Sequence, residues 1–178
     1  MVGSGFIVTL IVRYLLVMLF FPFSALDKIA GFKGAVGQAQ QVVSSRGAAS
    51  LLLLMGLGVE LLMPILILTG IADRLAAFIM AGYCMVTALL WKPFWKPGDF
   101  WKGSDSKGRG LFWDFLKNFS LGGGFLLITF GSMTLASFIA DPFSSTHPYS
   151  VHSQQIMPQQ TGPQQTGPQQ TGPQQTGP

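Results

Sequence analysis

The sequence predicts an all-α integral membrane protein, a four-helix bundle followed by a polar C-terminal tail. Three observations carry that expectation. Of 178 residues, 49% are hydrophobic and only 10% are charged, against about 25% charged in soluble domains. Long apolar runs recur along the first 140 residues, separated by short polar or Gly-rich loops. After Asp141 and Pro142 the apolar periodicity stops, and the chain ends in four copies of QQTGP, Gln159 to Pro178. Mean hydropathy is +0.45 even with that tail included. The predicted division is therefore a membrane domain, 1–141, and a tail, 142–178.

The first run, Phe6–Leu26, has no basic residue before it and is 21 residues long. It is longer than the apolar core of a signal peptide, so it is expected to remain as a first transmembrane helix. Arg13, Val17, Phe20, Ser24 and Asp27 follow helical spacing on it and share one face. That mixed face is expected to point into the bundle. In the following loop, Val36, Ala39, Val42 and Val43 have helical spacing, which predicts a short interfacial helix.

The second span, Ala48–Gly70, is the centre of the bundle. It carries one charge, Glu60. An acidic residue in mid-membrane costs roughly 2.5–3.5 kcal/mol on insertion scales, so it should face protein or a wet cavity. Gly56, one turn before, admits a close neighbour. Pro64, one turn after, has no N–H and so leaves the carbonyl of Glu60 free.

Ile71–Arg74 reads as a tight turn, and Leu75–Trp91 as a third span, with Tyr83 and Thr87 one turn apart on it. The lone cysteine, Cys84, lies in this apolar run and reads as a small buried hydrophobe. Lys92–Gly110 is a loop whose Trp95, Phe100 and Trp101 have the character of interfacial anchors. The fourth span, about 112–140, starts on an amphipathic shoulder, Leu111–Asn118. Gly122, Gly123 and Gly124 mark a point of close packing on it.

Lysine and arginine are unevenly shared among the loops. Lys28, Lys33, Arg46, Lys92, Lys96, Lys102, Lys107 and Arg109 lie in the first and third loops, and only Arg74 in the second. The positive-inside rule then puts loops one and three in the cytoplasm and both termini outside it. The same distribution explains the net charge of +4 without a nucleic-acid partner. The expected location is a bacterial inner membrane, crossed several times, with lipid and either other subunits or further copies of the chain as partners.

Several chemistries are excluded by residue type. The only histidines are His147 and His152, both in the tail. No bis-histidine haem or histidine-bound copper can be built in the spans of this chain, and no metal site is expected. No covalently held cofactor and no His- or Cys-ligated one is expected either. Intramembrane charge is the positive signal. Arg13 and Glu60 lie at matching depths, about 10 and about 15 Å below the outer surface at 1.5 Å per residue, and are expected to pair. Asp27, Lys28, Asp114 and Lys117, with Asn118, are expected to form a second, shallower polar cluster at the inner end. The clusters either serve function or only fix helix register.

Arg13, Lys28, Glu60 with Leu61 and Leu62, then LTGIADRLAA (Leu68–Ala77) and LKNFSLGGG (Leu116–Gly124) together resemble the DoxX family. The resemblance covers about Ile7 to Gly131. It implies a four-helix membrane fold, and it gives Arg13, Lys28, Glu60, Arg74, Lys117 and Asn118 as the matched polar positions. Where the family usually has Gly three residues before the Lys, this chain has Ala25. Members similar to DoxD are the membrane subunit of thiosulfate:quinone oxidoreductase. Two functions follow as expectations. One is an accessory, quinone-proximal subunit of a membrane oxidoreductase, with a quinone near Arg13, Glu60, Tyr83 and Thr87 and the donor chemistry on a partner. The other is a non-catalytic structural subunit packed against a larger membrane complex.

Overall fold

A computed structural model of the chain describes residues 4–150. Among them the regular structure is helical, with no strand. The helices are α1 (Ser4–Val17), α2 (Ala25–Ala30), α3 (Phe32–Ala39), α4 (Arg46–Thr69), α5 (Asp73–Trp91), α6 (Lys107–Phe130) and α7 (Leu135–Ala140). Three stretches are long and apolar enough to cross a bilayer: Ser4–Ala30, Arg46–Thr69 and Asp73–Trp91. Many large side chains on them face outward, including Ile7, Ile11, Leu15, Leu54 and Leu62. That is expected of surfaces whose solvent is lipid rather than water.

The first span is not one regular helix. Between α1 and α2 the chain is wound more loosely over Leu19–Ser24, and Phe21 leaves helical geometry (φ −122°, ψ 114°) before Pro22. Proline cannot donate the helical hydrogen bond and disfavours helical geometry in the residue before it. Arg13, Val17 and Phe20 point inward as the shared face predicts, and Ser24 is half-buried, but Asp27 beyond the break is exposed. The short helix expected in loop one is present as α3, and its Val36 and Ala39 pack on Ala49 and Leu53 of α4.

α4 buries one stripe, Ala49, Leu53, Glu60, Pro64 and Ile67. It stops at Gly70, whose φ of 77° is the left-handed conformation favoured by glycine. α5 buries small residues, Ala76, Ala77, Ala81, Cys84 and Ala88, and packs most extensively against α6. Backbones approach closely there. A side chain on Gly122 would meet the Ala81 carbonyl and Met85, and one on Gly124 would meet Leu16. The core is Val17, Phe20, Ile67, Met80, Cys84 and Phe125 with the small residues of α5.

The fourth span of about 112–140 is not continuous. α6 begins earlier, at Lys107, and ends at Phe130; α7 is a separate helix of 6 residues. The 24 residues of α6 match a crossing in length, but Lys107, Arg109, Asp114 and Lys117 fill its first half.

The boundary at 141 also moves. Residues 145–149 lie against the turn between α4 and α5 rather than extending away as a tail. Ser145 Oγ donates to the Gly70 carbonyl (2.6 Å), and the Tyr149 hydroxyl donates to that of Leu68. Tyr149 also stacks on Phe6 of α1, with ring centroids 4.8 Å apart. The QQTGP repeats lie outside the described residues.

Candidate functional site

Glu60 is 2% exposed, and three side chains converge on it. Lys28 Nζ donates to both carboxylate oxygens, at 2.6 and 2.8 Å. Ser24 Oγ donates to Oε1 at 3.1 Å, and the Tyr83 hydroxyl donates to the same oxygen at 2.8 Å. Ser24 and Lys28 are four residues apart and bond to each other (2.6 Å). The break at Phe21 and Pro22 sets the following turn, with these two side chains, beside α4. On the opposite wall, Gly56 makes room for the tyrosine: a Cβ there would lie 3.2 Å from its hydroxyl.

The predicted Arg13–Glu60 pair is therefore absent. Arg13 pairs with Asp73, Nη2 to Oδ2 at 2.7 Å. Its Nη1 donates to the Ile67 carbonyl (2.6 Å) and its Nη2 to Thr146 Oγ1 (2.6 Å). Thr146 closes the group by donating its backbone N–H to Asp73 Oδ1 (2.9 Å) and its hydroxyl to Oδ2. Arg13 takes Asp73, in the turn Ile71–Arg74, because that carboxylate lies within its reach. Asp73 is fully buried, and the Ile67 carbonyl is one of the acceptors that the end of α4 leaves without a helical partner.

The inner cluster divides as well. Lys28 belongs to Glu60, Asp27 is exposed, and Asp114 pairs with Lys92 (2.9 Å) and, on its own helix, with Lys117 (3.5 Å). Asn118 Nδ2 donates to the Asp114 carbonyl one turn back (2.9 Å). Arg74 is buried and bonds the Thr129 carbonyl (3.0 Å) and Ser132 Oγ (2.9 Å), so it ties α5 to the end of α6. The hydroxyls of Tyr83 and Thr87, expected near a quinone, are both engaged within the protein: Tyr83 donates its hydrogen bond to Glu60, and Thr87 Oγ1 donates to carbonyls of its own helix, Tyr83 O at 2.7 Å and Cys84 O at 3.0 Å. Ala25, at the position where glycine is usual, is buried in the bend with its methyl group accommodated.

A cavity of about 1050 Å³ opens beside this group, lined by α4 (Leu52 to Met63), α5 (Tyr83, Val86, Thr87, Leu90, Trp91) and the bend of the first span (Leu19, Phe20, Ser24, Lys28). Its walls are leucine, valine, methionine and aromatic. Its polar groups are Glu60, Lys28, Ser24 and Tyr83 on one side, with Gln38, Lys92 and Asn118 toward loops one and three. Trp91 Nε1 donates to the Gln38 carbonyl (3.4 Å) and holds α3 over that end. An apolar cavity with a few convergent polar groups is what small-molecule sites look like. Of the named residues the cavity brings together Lys28, Glu60, Tyr83, Thr87 and Asn118, and leaves out Arg13, Asp27, Asp114 and Lys117. Ser24 and Asp73 are the residues whose roles sequence reasoning missed. Ser24 was readable from its i, i+4 spacing to Lys28, and Asp73 only from its place beside Arg74.

The fold and cavity define an α-helical membrane protein with a buried ion pair at an apolar site. The family model for DoxX matches residues 8–93, just under half of the chain, and supports its membership of the DoxX family. No curated protein and no solved structure matches it.

Proposed function

We propose that the chain is a quinone-proximal accessory subunit of a membrane oxidoreductase, in which the cavity beside Glu60 holds the quinone and a partner subunit carries the electron donor. The observation that supports this is the cavity's composition: apolar walls along α4 and α5 for a ring and chain, and one hydrogen-bonded acid–base group at its side. Its volume of about 1050 Å³ stands at the upper end of ligand sites, which run to about 1,000 Å³. Glu60, Lys28 and Tyr83 supply groups that can exchange protons with a quinone oxygen. Chain purified from native membranes in mild detergent is expected to retain extractable quinone, and Glu60→Gln to lower the retained amount at least about tenfold, the effect of losing an interaction worth about 1.4 kcal/mol. Wild type without quinone, alone and with its native partner, leaves the structural-subunit function standing.

The proposal takes α6 as a fourth crossing, in a bacterial inner membrane, with loops one and three in the cytoplasm and both termini outside. A cysteine at Ser104, in a Cys84→Ser background, is expected to be shielded from an impermeant thiol reagent in intact cells, and one at Ser153 to react. The reverse labelling inverts the orientation.

A further inference from the structure

A second, smaller cavity of about 370 Å³ lies on the loop-one face, lined by Asp27, Lys28, Gly31, Gly34, Ala35 and Gln38. Three of these, Lys28, Ala35 and Gln38, also line the large cavity. Of the three shared residues, Lys28 is the one bonded to Glu60, through its Nζ. The small cavity is lined by the exposed Asp27, Gly31 and the α3 residues Gly34, Ala35 and Gln38; the walls of the large one are mostly hydrocarbon. Lys28 is 25% exposed at its side chain while Glu60 is 2% exposed.

We propose that Lys28 and Glu60 form a proton relay between an aqueous vestibule on the loop-one face and the membrane cavity. The inference rests on the quinone reading for its final acceptor. Lys28 gives a proton along the 2.6 Å contact to Glu60 and is reprotonated from vestibule water. Glu60 then passes the proton to a quinone oxygen in the large cavity. Reduction of one quinone takes two electrons from the donor and two protons by this route, and each transfer returns the ammonium–carboxylate pair to its starting state. Carboxylates inside a membrane are usual parts of proton relays, and here the carboxylate is bonded to a lysine that is part-exposed. The charged and titratable groups around the pair are Asp27 on α2, Tyr83 and Cys84 on α5, and the Lys92–Asp114 pair at the rim. Tyr83 and Ser24 hold the carboxylate in place by donating to Oε1.

The test has two arms. In a Cys84→Ser background, Ala35→Cys, at the junction, is expected to react with a membrane-impermeant cationic thiol reagent applied to the loop-one face, and Leu62→Cys, which lines only the large cavity, to resist it. In the second arm the full chain is loaded with ubiquinone in nanodiscs and reduced with dithionite, and the rate is normalised to the quinone retained. Lys28→Arg keeps a cation on Glu60, but a guanidinium does not deprotonate in proteins. It is expected to slow reduction at least about a hundredfold, the lower end of the range for a lost general acid, and to keep or enlarge the solvent deuterium isotope effect, since proton delivery then limits the rate. Lys28→Met is expected to slow it equally where it folds. Lys28→Arg that retains quinone and is reduced at the wild-type rate overturns the relay and leaves the quinone reading intact. A shielded Ala35→Cys overturns the vestibule and with it the relay. Wild type that holds no quinone overturns both readings.

Discussion

Arg13 and Glu60 each take a different partner from the one that their depth suggests, and the reason is physical. A guanidinium buried in the bundle needs several acceptors at once, and the end of α4 offers them: the free Ile67 carbonyl beside the buried Asp73 carboxylate. Glu60 is served from below by Lys28 across the bend. Each pair is internally neutral, so losing one member strands the other. Asp73→Asn is expected to lower unfolding stability in detergent by on the order of 3–5 kcal/mol, the cost of breaking a buried pair. A double-mutant cycle on Arg13 and Asp73 is expected to give a coupling above about 1 kcal/mol, and one on Arg13 and Glu60 a value within about 0.5 kcal/mol of zero, as for sites without shared contacts. The reverse ranking restores the Arg13–Glu60 pair. That Arg13 and Glu60 must face inward was legible in the sequence from the cost of charge in lipid. Which partner each finds depends on where helix ends and bends fall, and hydropathy does not record that.

Among the elements, α4 and α5 fall close to their expected bounds because apolar length and the Gly70 turn fix them. The first and fourth spans do not. Hydropathy reads straight through Pro22, which breaks the first, and through Gly131–Thr134, where α6 gives way to α7. The start of α6 shows what decides such a boundary. Asp99, from the loop of tryptophans and prolines, accepts from the backbone N–H groups of Lys107 (3.1 Å) and Gly108 (2.9 Å), two of the donors that a helix start leaves unpaired. Ser106 accepts from Arg109 N at 3.4 Å. Phe94, Phe100, Phe112 and Phe115 pack as a cluster around this cap, while Trp101 stays 92% exposed. Glycine is required at 108: a Cβ there would lie 2.7 Å from Asp99 Oδ1. Gly108→Ala is expected to displace Asp99 and cost about 1–2 kcal/mol, the scale of a lost N-cap, read as a lower melting temperature. Asp99→Ala is expected to cost a similar amount, and the two together little more than either. Additive losses separate the glycine from the cap.

For the molecule as a whole, the segment after α7 closes the end of the bundle at the α4–α5 turn. Three carbonyls at the end of α4 are taken by side chains from elsewhere: Ile67 by Arg13, Leu68 by Tyr149 and Gly70 by Ser145. Thr146 joins Arg13 to Asp73, and Pro148 packs on Gly70. Such contacts supply donors to backbone carbonyls that the helix end leaves unpaired. Residues 142–150 carry no apolar periodicity that would mark them as part of the bundle, because their role lies in a few hydroxyls and one aromatic ring placed against a helix end. The two parts are therefore expected to differ on truncation. Removing Gln159–Pro178 should leave the melting temperature in detergent unchanged, since the repeat has no apolar residue with which to pack. Removing 142–178 should lower it well beyond the effect of a single lost hydrogen bond, about 1 kcal/mol each, because the Arg13–Asp73 pair loses its third member and two carbonyls lose their donors. Thr146→Val in the full chain should reproduce part of that loss. Equal melting temperatures for the two truncated chains remove this segment from the account of stability and leave the helices to hold the α4–α5 end alone.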